Sequence, residues 1–251
     1  MKNNKIIIND LLGYPGLKIC QRPDMFNFSL DSTILAYYVK INSSTKKIMD
    51  LGCGNGYIPI FLTLRTKAMI YGVEIQEEVF ELAKKSVEIN KLEDQIKLYN
   101  GDLKKIHETV GVSCFDIVTC NPPYFIYKDT SLVNNTEYKV IARHEVKVTL
   151  DEVIKEAKIL LKDGGIFAMV HRAERFLDVL ESLRNNNFEA KRLLFIYPKT
   201  TSKEALGIYI EAIKSSRKGG LKILPPLYVY DENDNYTLDI LKIFNYNKEE
   251  E

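Results

Sequence analysis

Apolar and polar residues follow one another along the chain in an order that predicts strands alternating with helices. Apolar runs that predict buried strands occupy 48–51, 68–73, 96–99, 115–120, 166–170, 188–197 and 205–212. Helical spacing of apolar residues is found over 57–64, 76–92, 172–184 and from Ser32 and Thr149 onward. Such alternation predicts an α/β fold with a doubly wound, mostly parallel sheet whose last strand is antiparallel.

The same pattern divides the chain into three parts. We expect residues 1–45 to form a lead-in that packs on the sheet, and residues 46–227 to form the main domain. Residues 228–251 form an acidic tail in which a few apolar positions suit a short helix. Residues 125–147 are polar, irregular and too long for a routine connection, which favours a functional loop.

Composition narrows the class of protein only moderately. The 251 residues are 45% hydrophobic and 27% charged, which is typical of a globular protein with a full core. The net charge of +1 excludes a uniformly basic protein. However, residues 191–222 hold eight Lys or Arg against two acids, and residues 231–251 hold seven acids against two lysines. The basic stretch suggests an anionic partner, although solvated surface is the ordinary explanation of such runs.

The cysteine pattern and the N-terminus indicate the compartment. The four cysteines have neither metal-ligand nor disulfide spacing, so we expect core residues and no metal site. The chain shows no signal peptide and no long apolar run. We therefore expect a cytoplasmic protein without a membrane partner, acting as a monomer.

A glycine-rich turn follows the first of the parallel strands, with the sequence Asp50-Leu-Gly-Cys-Gly-Asn-Gly56. Gly52, Gly54 and Gly56 allow a sharp turn and close approach of a ligand, as expected at the switch point of a doubly wound sheet. The spacing differs from the G-x-G-x-x-G of dinucleotide enzymes. Asp50 would repel a pyrophosphate but would suit an ammonium group. This combination favours S-adenosylmethionine as the cofactor.

Two further acids follow the next two strands. Glu74 is placed to accept hydrogen bonds from both hydroxyls of a ribose. Asp102 could accept from the amino group of an adenine, and Ile75 or Leu103 could pack against its ring. Together with the glycine-rich turn, these residues predict a pocket for an adenosine moiety.

The tetrapeptide Asn121-Pro-Pro-Tyr124 ends the fourth strand. Two prolines cannot continue a sheet, and Asn121 is driven out of the helical region because a proline follows it. The result is a stiff turn that presents an amide, a main-chain carbonyl and an aromatic ring. Those groups can hold a planar amino compound.

These motifs together resemble the class I S-adenosylmethionine-dependent methyltransferases that act on amino nitrogens. The resemblance covers about residues 28–213 and implies a seven-stranded sheet. It implies that the cofactor is bound by Gly52, Gly54, Glu74 and Asp102. Asn121 and the Pro122 carbonyl would accept hydrogen bonds from the target amine. Tyr124 would stack on the base, which must be extruded from the stack of neighbouring bases.

A finer resemblance concerns the substrate. The stretch Phe26-Asn-Phe-Ser-Leu-Asp31, the tetrapeptide followed by Phe125, and Ala142-Arg-His-Glu145 are similar to the tRNA1(Val) adenine-N6-methyltransferase family. It implies that Phe28, Ser29 and Asp31 line the cofactor pocket. The loop residues predicted to border the substrate are Pro123, Phe125 and Arg143.

Contacts to RNA are predicted in the basic region. Lys214, Arg217 and Lys218 lie beside glycines in what we interpret as a hairpin tip, where they could contact phosphates without reading sequence. A solvent-exposed turn that binds no RNA would account for these charged residues equally well.

The leading hypothesis is therefore methylation of the exocyclic N6 of an adenine in tRNA. A protein glutamine side chain, or an amino group of ribosomal RNA or DNA, presents the same two donors and stays as an alternative. A cofactor-binding RNA-binding module without catalysis is the alternative outside the enzymes.

Overall fold

Seven strands form the centre of one large sheet. In the computed structural model, which describes residues 6–12, 14–23, 30–122 and 148–244, they are β3 (Lys47–Leu51), β4 (Met69–Glu74), β5 (Ile96–Asn100), β6 (Phe115–Cys120), β7 (Leu161–Arg172), β8 (Phe188–Lys199) and β9 (Gly207–Lys214). Their order across the sheet is β5-β4-β3-β6-β7-β9-β8. Only β9 runs antiparallel to its neighbours among these seven strands. The predicted doubly wound sheet with an antiparallel last strand is confirmed.

Two short strands extend this sheet beyond the predicted seven. Strands β10 (Lys222–Ile223) and β11 (Leu227–Tyr230) both pair in parallel with β8, so the sheet has nine strands. The chain between them contains Pro225 and Pro226. Because proline lacks an N–H for the ladder, the two strands form one interrupted edge.

Helices cover both faces of the sheet. They are α1 (Leu30–Tyr38), α2 (Tyr57–Thr63), α3 (Glu77–Ile89), α4 (His107–Val110), α5 (Leu150–Leu160), α6 (Phe176–Asn185) and α7 (Leu238–Phe244). Helices α1, α2, α3 and α7 contribute to one buried apolar cluster, and α5 and α6 contribute to the other. The predicted start of α5 is confirmed by a capping box, in which Thr149 and Glu152 satisfy each other's backbone N–H.

The N-terminal residues form a hairpin of β1 (Ile7–Leu11) and β2 (Tyr14–Gln21). It packs on α3, where the Cys20 backbone N–H donates to Ser86 Oγ at 2.9 Å. The Cys20 carbonyl also accepts from Asn55 in the glycine-rich turn, at 3.2 Å. The hairpin therefore supports that turn from outside the sheet.

The predicted acidic tail contributes to the fold as far as the structure describes it. Val229 of β11 and Ile240 and Ile243 of α7 are buried in the first apolar cluster. The Tyr14 hydroxyl donates to the Ile243 carbonyl at 3.1 Å, which joins the two ends of the chain. No helix in the described ranges has the length and apolar character needed to cross a membrane. The boundaries at residues 45/46 and 227/228 stay a prediction.

Candidate active site

The carboxyl ends of β3, β4, β5 and β6 lie side by side along one edge of the sheet, called the carboxyl edge below. Leu51 is paired with both Val73 and Cys120, and Glu74 is paired with Asn100. The polar residues that follow these strands are thus brought together from four separate parts of the chain. This is the position in which doubly wound sheets bind ligands.

The glycine-rich turn leaves open space above its backbone. Gly52 and Gly54 have φ angles of 73° and 55°, which residues with side chains rarely adopt. A Cβ atom at either position would meet no other atom within 4 Å. The turn is held down by the N–H groups of Gly52 and Cys53, which donate to the Val73 carbonyl at 3.0 and 2.9 Å. The glycines therefore form a cradle that a ligand can fill.

Asp50 lies beneath this turn and is fully buried. Its Oδ1 accepts from Thr119 Oγ1 at 2.7 Å, while Oδ2 is buried without a hydrogen-bond partner. Burial raises the pKa of Asp50 to about 7; the Thr119 hydrogen bond opposes this shift and the charge of Glu74 adds to it. Because the carboxylate is sealed from solvent, a ligand donor would reach Oδ2 only through an ordered water or after a movement of the turn.

Glu74 is nearly buried at the end of β4 and faces the glycine-rich turn. Its two oxygens accept from the N–H groups of Gly54 at 3.1 Å and Gln76 at 2.9 Å. Burial raises the pKa of Glu74, and these backbone donors partly offset that effect. Each carboxylate oxygen keeps further lone-pair capacity, which suits a pair of ribose hydroxyls.

The predicted adenine end of the pocket lies beside Glu74. The side-chain nitrogen of Asn100 donates to the Glu74 carbonyl at 2.9 Å and so joins the ends of β4 and β5. Asp102 caps a single 3-10 turn by accepting from the Lys104 N–H at 2.9 Å. Ile75 is 40% exposed, and Leu103 is half-buried, so both can cover an aromatic ring.

A buried carboxylate fixes the segment that carries Asp102. Glu156 of α5 is 2% exposed and accepts from both the backbone N–H and Nδ1 of His107, each at 2.9 Å. Lys104 also lies 3.8 Å from both Asp102 and Glu152. The segment after β5 is therefore joined to the first turns of α5.

Asn121 follows β6 and is oriented by α1. Its Nδ2 donates to Ser32 Oγ at 2.9 Å, and Ser32 is itself buried. On the next residue of α1, Thr33 Oγ1 donates to the Tyr57 hydroxyl at 2.8 Å, which joins α1 to the helix that follows the glycine-rich turn. This places Asn121 at the same edge as Asp50 and Glu74. Its amide oxygen is the end of the side chain suited to accept from an amino group.

Two residues of this site were not predicted as functional. Ser32 orients Asn121 and Thr119 orients Asp50, across sequence separations of 89 and 69 residues. No local pattern indicates such partners. Thr119 is nevertheless a buried hydroxyl in an apolar strand, and such a residue normally has a specific hydrogen bond.

The remaining predicted residues divide into two groups. Phe28, Ser29, Pro123, Tyr124, Phe125 and Arg143 lie outside the described residues. Asp31 lies in the first turn of α1, next to Ser32, and Pro122 is buried after Asn121. Gly56 precedes α2 with a φ of 87°.

The predicted RNA-binding residues lie away from this site. Lys214 ends β9, which places it at the opposite, amino edge of the sheet. Its ammonium donates to the Leu161 carbonyl at 2.7 Å, and its side chain is 12% exposed. Arg217 and Lys218 are exposed. The predicted hairpin is wrong, because β10 pairs with β8 rather than with β9, and the chain crosses the start of β8.

The residues present fit S-adenosylmethionine. The open cradle, the buried Oδ2 of Asp50 and the acceptors of Glu74 offer places for a chain with a charged amino group, a ribose and a base. Within the described ranges, no three His, Cys, Asp or Glu side chains are grouped as a metal site would require.

Comparison with families of known proteins gives the same assignment. Residues 42–216 match the family described as a methyltransferase domain. The chain is 31% identical over 143 residues to the tRNA1(Val) (adenine(37)-N6)-methyltransferase of Flavobacterium psychrophilum, covering 56% of this chain and 58% of that protein. The protein of the same name from Dyadobacter fermentans is 26% identical over 210 residues, covering 83% of this chain and 84% of that protein.

Among solved structures, a predicted O-methyltransferase from Agrobacterium tumefaciens is similar with a TM-score of 0.68. The two chains are 21% identical, and the match covers 86% of this chain and 95% of that chain. This likeness concerns the fold.

Proposed function

Because the chain belongs to the family of methyltransferase domains, we propose that it methylates the exocyclic N6 of an adenine in tRNA. The cofactor is S-adenosylmethionine, which supplies an electrophilic methyl group on a sulfonium centre when bound. One observation carries the proposal: Asn121 ends β6 beside the glycine-rich turn, and Ser32 holds its amide nitrogen. The amide oxygen is thereby the end of the side chain that would accept from an amino group.

The residues that would hold the cofactor follow the carboxyl edge in order. The cradle of Gly52, Gly54 and Gly56 would accommodate the amino-acid part, with the charge of Asp50 beneath it. Glu74 would accept from the ribose hydroxyls. Asp102 would accept from the adenine amino group, between Ile75 and Leu103.

Asn121 would act on the target nitrogen. The lone pair of an adenine amine is delocalised into the ring, which makes it a poor nucleophile. By accepting both N–H bonds, the Asn121 side-chain oxygen and the Pro122 carbonyl would favour a pyramidal nitrogen with its lone pair aimed at the methyl group. Positioning and preorganised acceptors then supply most of the rate, and no strong base is needed. Tyr124 would stack on the extruded base.

The relatives support tRNA as the substrate. Both carry the name of an enzyme for adenine 37 of tRNA1(Val). The chain spans about three-fifths of the length of the first and most of the second. Arg143, Arg217 and Lys218 would contact phosphates of that RNA, and the protein would work as a monomer in the cytoplasm.

Radiolabelled methyl transfer into separate RNA, DNA and protein fractions tests the proposal. We expect label in tRNA, released by nuclease digestion as N6-methyladenosine. Label in protein, released as methylglutamine, would instead support the glutamine alternative, since a primary amide offers the same two donors to Asn121. Cofactor binding without transfer to any fraction would support a binding module.

A further inference from the structure

A groove lies between the two loops that precede β3 and β4, at the end of the sheet opposite the candidate active site. Its volume is about 860 Å³. Its lining includes Asn42, Thr45, Lys46, Lys47, Arg65 and Lys67. We call it the amino-edge groove. Its volume is in the range of small-ligand sites, so it can hold one or two nucleotide units.

The lining of the amino-edge groove is basic, because it contains four cations and no carboxylate. Lys46 and Lys67 are exposed, and no ion pair joins either ammonium to an acid of the described ranges. Asp116 accepts from the backbone N–H groups of Lys46 and Lys47 at 2.7 and 2.9 Å, and its charge is paired with Lys162. The Lys47 ammonium lies 5.9 Å from the centre of the Tyr71 ring. An anion entering the groove therefore meets lysines whose charge is not already neutralised.

Both walls of the groove are held in place by hydrogen bonds. On one loop, Asn42 Oδ1 accepts from the Ser44 N–H at 3.0 Å and from Thr45 Oγ1 at 3.2 Å. On the other, Gln95 Nε2 donates to the carbonyls of Thr66 and Ala68 at 2.7 and 3.0 Å. The site is therefore preorganised, which reduces the entropy cost of binding.

Helix C-termini normally make this end of an α/β sheet unfavourable for anions. Here the last carbonyls of α1 accept from side chains: Arg65 donates to the Ala36 carbonyl at 2.5 Å, and Arg192, which is paired with the buried Glu211, donates to the Tyr38 carbonyl at 3.0 Å. After α2, the Phe61 and Leu62 carbonyls accept from backbone N–H groups of the following turn. The last carbonyls of both helices thus have hydrogen-bond donors within the protein, and fewer of them face an anion in the groove.

We propose that the amino-edge groove binds phosphates of the substrate RNA remote from the methylated base. This inference rests on the proposed function for the identity of the RNA. Strand β3 has five residues and spans roughly 17 Å, so one RNA stem can reach from the carboxyl edge to the groove. The first turn of α3, which follows β4, and the loop after β11 carry only acids among their charged residues, at Glu77, Glu78, Asp231, Glu232 and Asp234. These two acidic segments repel a phosphate backbone, whereas the groove attracts it.

The test compares two double variants with the same change in net charge. The groove variant, Lys46→Glu with Lys67→Glu, reverses the charge at two positions of the groove. The matched control, Lys84→Glu with Lys85→Glu, reverses the charge at two exposed positions of α3. Binding of full-length tRNA transcript is measured as a function of salt. The groove variant should lose about tenfold or more in affinity, and its salt slope should fall by roughly one to two units. For the control variant, the change in the logarithm of the tRNA affinity should be less than half of the change for the groove variant. Lys46→Gln with Lys67→Gln provides a milder neutral variant if charge reversal unfolds the protein.

Equal losses in the groove and control variants would overturn the proposal, because net charge alone would then explain the effect. A titration with inorganic phosphate, followed by the amide NMR signals of the groove, identifies the source of the anion. Shifts with phosphate, together with unchanged tRNA affinity of the groove variant, would indicate a site for free phosphate and refute the RNA assignment.

Failure of the groove proposal and failure of the proposed function give different results, because RNA binding and methyl transfer are measured separately. The binding assay requires no methyl transfer, so weakened RNA binding without any methylated adenine would support the groove and refute the proposed reaction. Conversely, normal methylation of adenine with unaltered binding by the groove variant would support the reaction and refute the groove.

Discussion

The amide nitrogen of Asn121 donates to the hydroxyl oxygen of Ser32 at 2.9 Å, and this contact fixes which end of the amide is presented at the carboxyl edge. Ser32 belongs to α1, which lies before the central sheet in the chain. An amide without this bond can rotate by half a turn and present its nitrogen to the target amine. Two donors would then face each other, and the lone pair would not be oriented. In the proposed reaction, the N-terminal helix would therefore be part of the catalytic arrangement.

Replacing Ser32 with alanine should lower kcat by about tenfold, since roughly 1.4 kcal/mol of orientation is removed from the transition state. KM for S-adenosylmethionine should stay within about twofold, because Ser32 Oγ bonds to Asn121, the residue proposed to hold the target amine. Steady-state methylation of tRNA gives both constants. Ser32→Thr retains the hydroxyl and should recover most of kcat.

Thr33→Ala is the matched control for that variant. It removes the neighbouring buried hydroxyl of α1, which bonds to Tyr57 and not to Asn121. If both alanine variants reduce kcat equally, the effect comes from displacement of α1, and the orienting role of Ser32 is refuted.

Asp50→Asn should stabilise the cofactor-free protein above pH 7. The pKa of Asp50 is raised to about 7 in the folded protein, chiefly by burial, from an ordinary value of 3.8. The folded state therefore binds this proton more tightly than the unfolded state does. Stability falls as the pH rises between these two values, by about 4 kcal/mol at most, and is constant above. Thermal unfolding of both proteins across this range should show a gain that grows from about pH 4 to pH 7 and is constant above pH 7.

The same substitution should weaken binding of S-adenosylmethionine above pH 7 by about tenfold, since the carboxylate no longer offsets the charge of the amino group. Calorimetric titration measures this affinity. A variant that gains no stability and loses no affinity relative to wild type at any pH would contradict both statements, because Asp50 would then be a neutral core residue.

The carboxyl edge could be predicted from sequence because its residues follow successive parallel strands. Parallel strands end at one edge, so Asp50, Glu74, Asp102 and Asn121 had to lie close together once the strands were recognised. The sequence contains no comparable signal for Ser32. Its role depends on where α1 packs, and the local periodicity of hydrophobic residues does not show which distant elements pack together.

The edge strands and the basic turn are features that could not be predicted from the sequence pattern. Strands β10 and β11 are too short and too interrupted by proline for an alternating pattern to be recognised. Without them, Lys214 to Lys218 look like a hairpin between two neighbouring strands. Since β10 instead continues on the far side of β8, the turn lies across the amino edge.

Gly72→Ala should destabilise the protein and impair cofactor binding. A methyl group at Gly72, in the middle of β4, would lie 2.9 Å from Cys53 Sγ and 2.9 Å from Leu98 Cδ2. Such overpacking typically costs about 1–3 kcal/mol. Since Cys53 belongs to the glycine-rich turn, relief of the clash shifts the cradle. Urea unfolding and cofactor titration should both respond, whereas Gly101→Ala, which meets no atom within 4 Å, should leave stability within about 0.5 kcal/mol.

Glu156→Ala should loosen the segment that carries Asp102. It leaves the buried backbone N–H of His107 without its acceptor, which costs about 1–3 kcal/mol. Affinity for S-adenosylmethionine should fall with it, by about threefold to tenfold, because Asp102 lies on the released segment. Glu108→Ala, an exposed change on α4, should alter neither quantity. A stability loss with unchanged cofactor affinity would show that Glu156 supports only the core.

Lys214→Met should reduce stability without changing RNA affinity. Methionine keeps the apolar stem but removes the ammonium that donates to the Leu161 carbonyl at 2.7 Å, at a cost of about 1–3 kcal/mol. Because that ammonium is already bonded within the protein, little charge is lost from the surface. The exposed pair Arg217→Ala with Lys218→Ala should behave in the opposite way, with stability within about 0.5 kcal/mol and a lower salt slope for tRNA binding. Urea unfolding and tRNA binding of both variants decide between the two roles. Weakened tRNA binding by a stably folded Lys214→Met protein would instead assign Lys214 to the RNA.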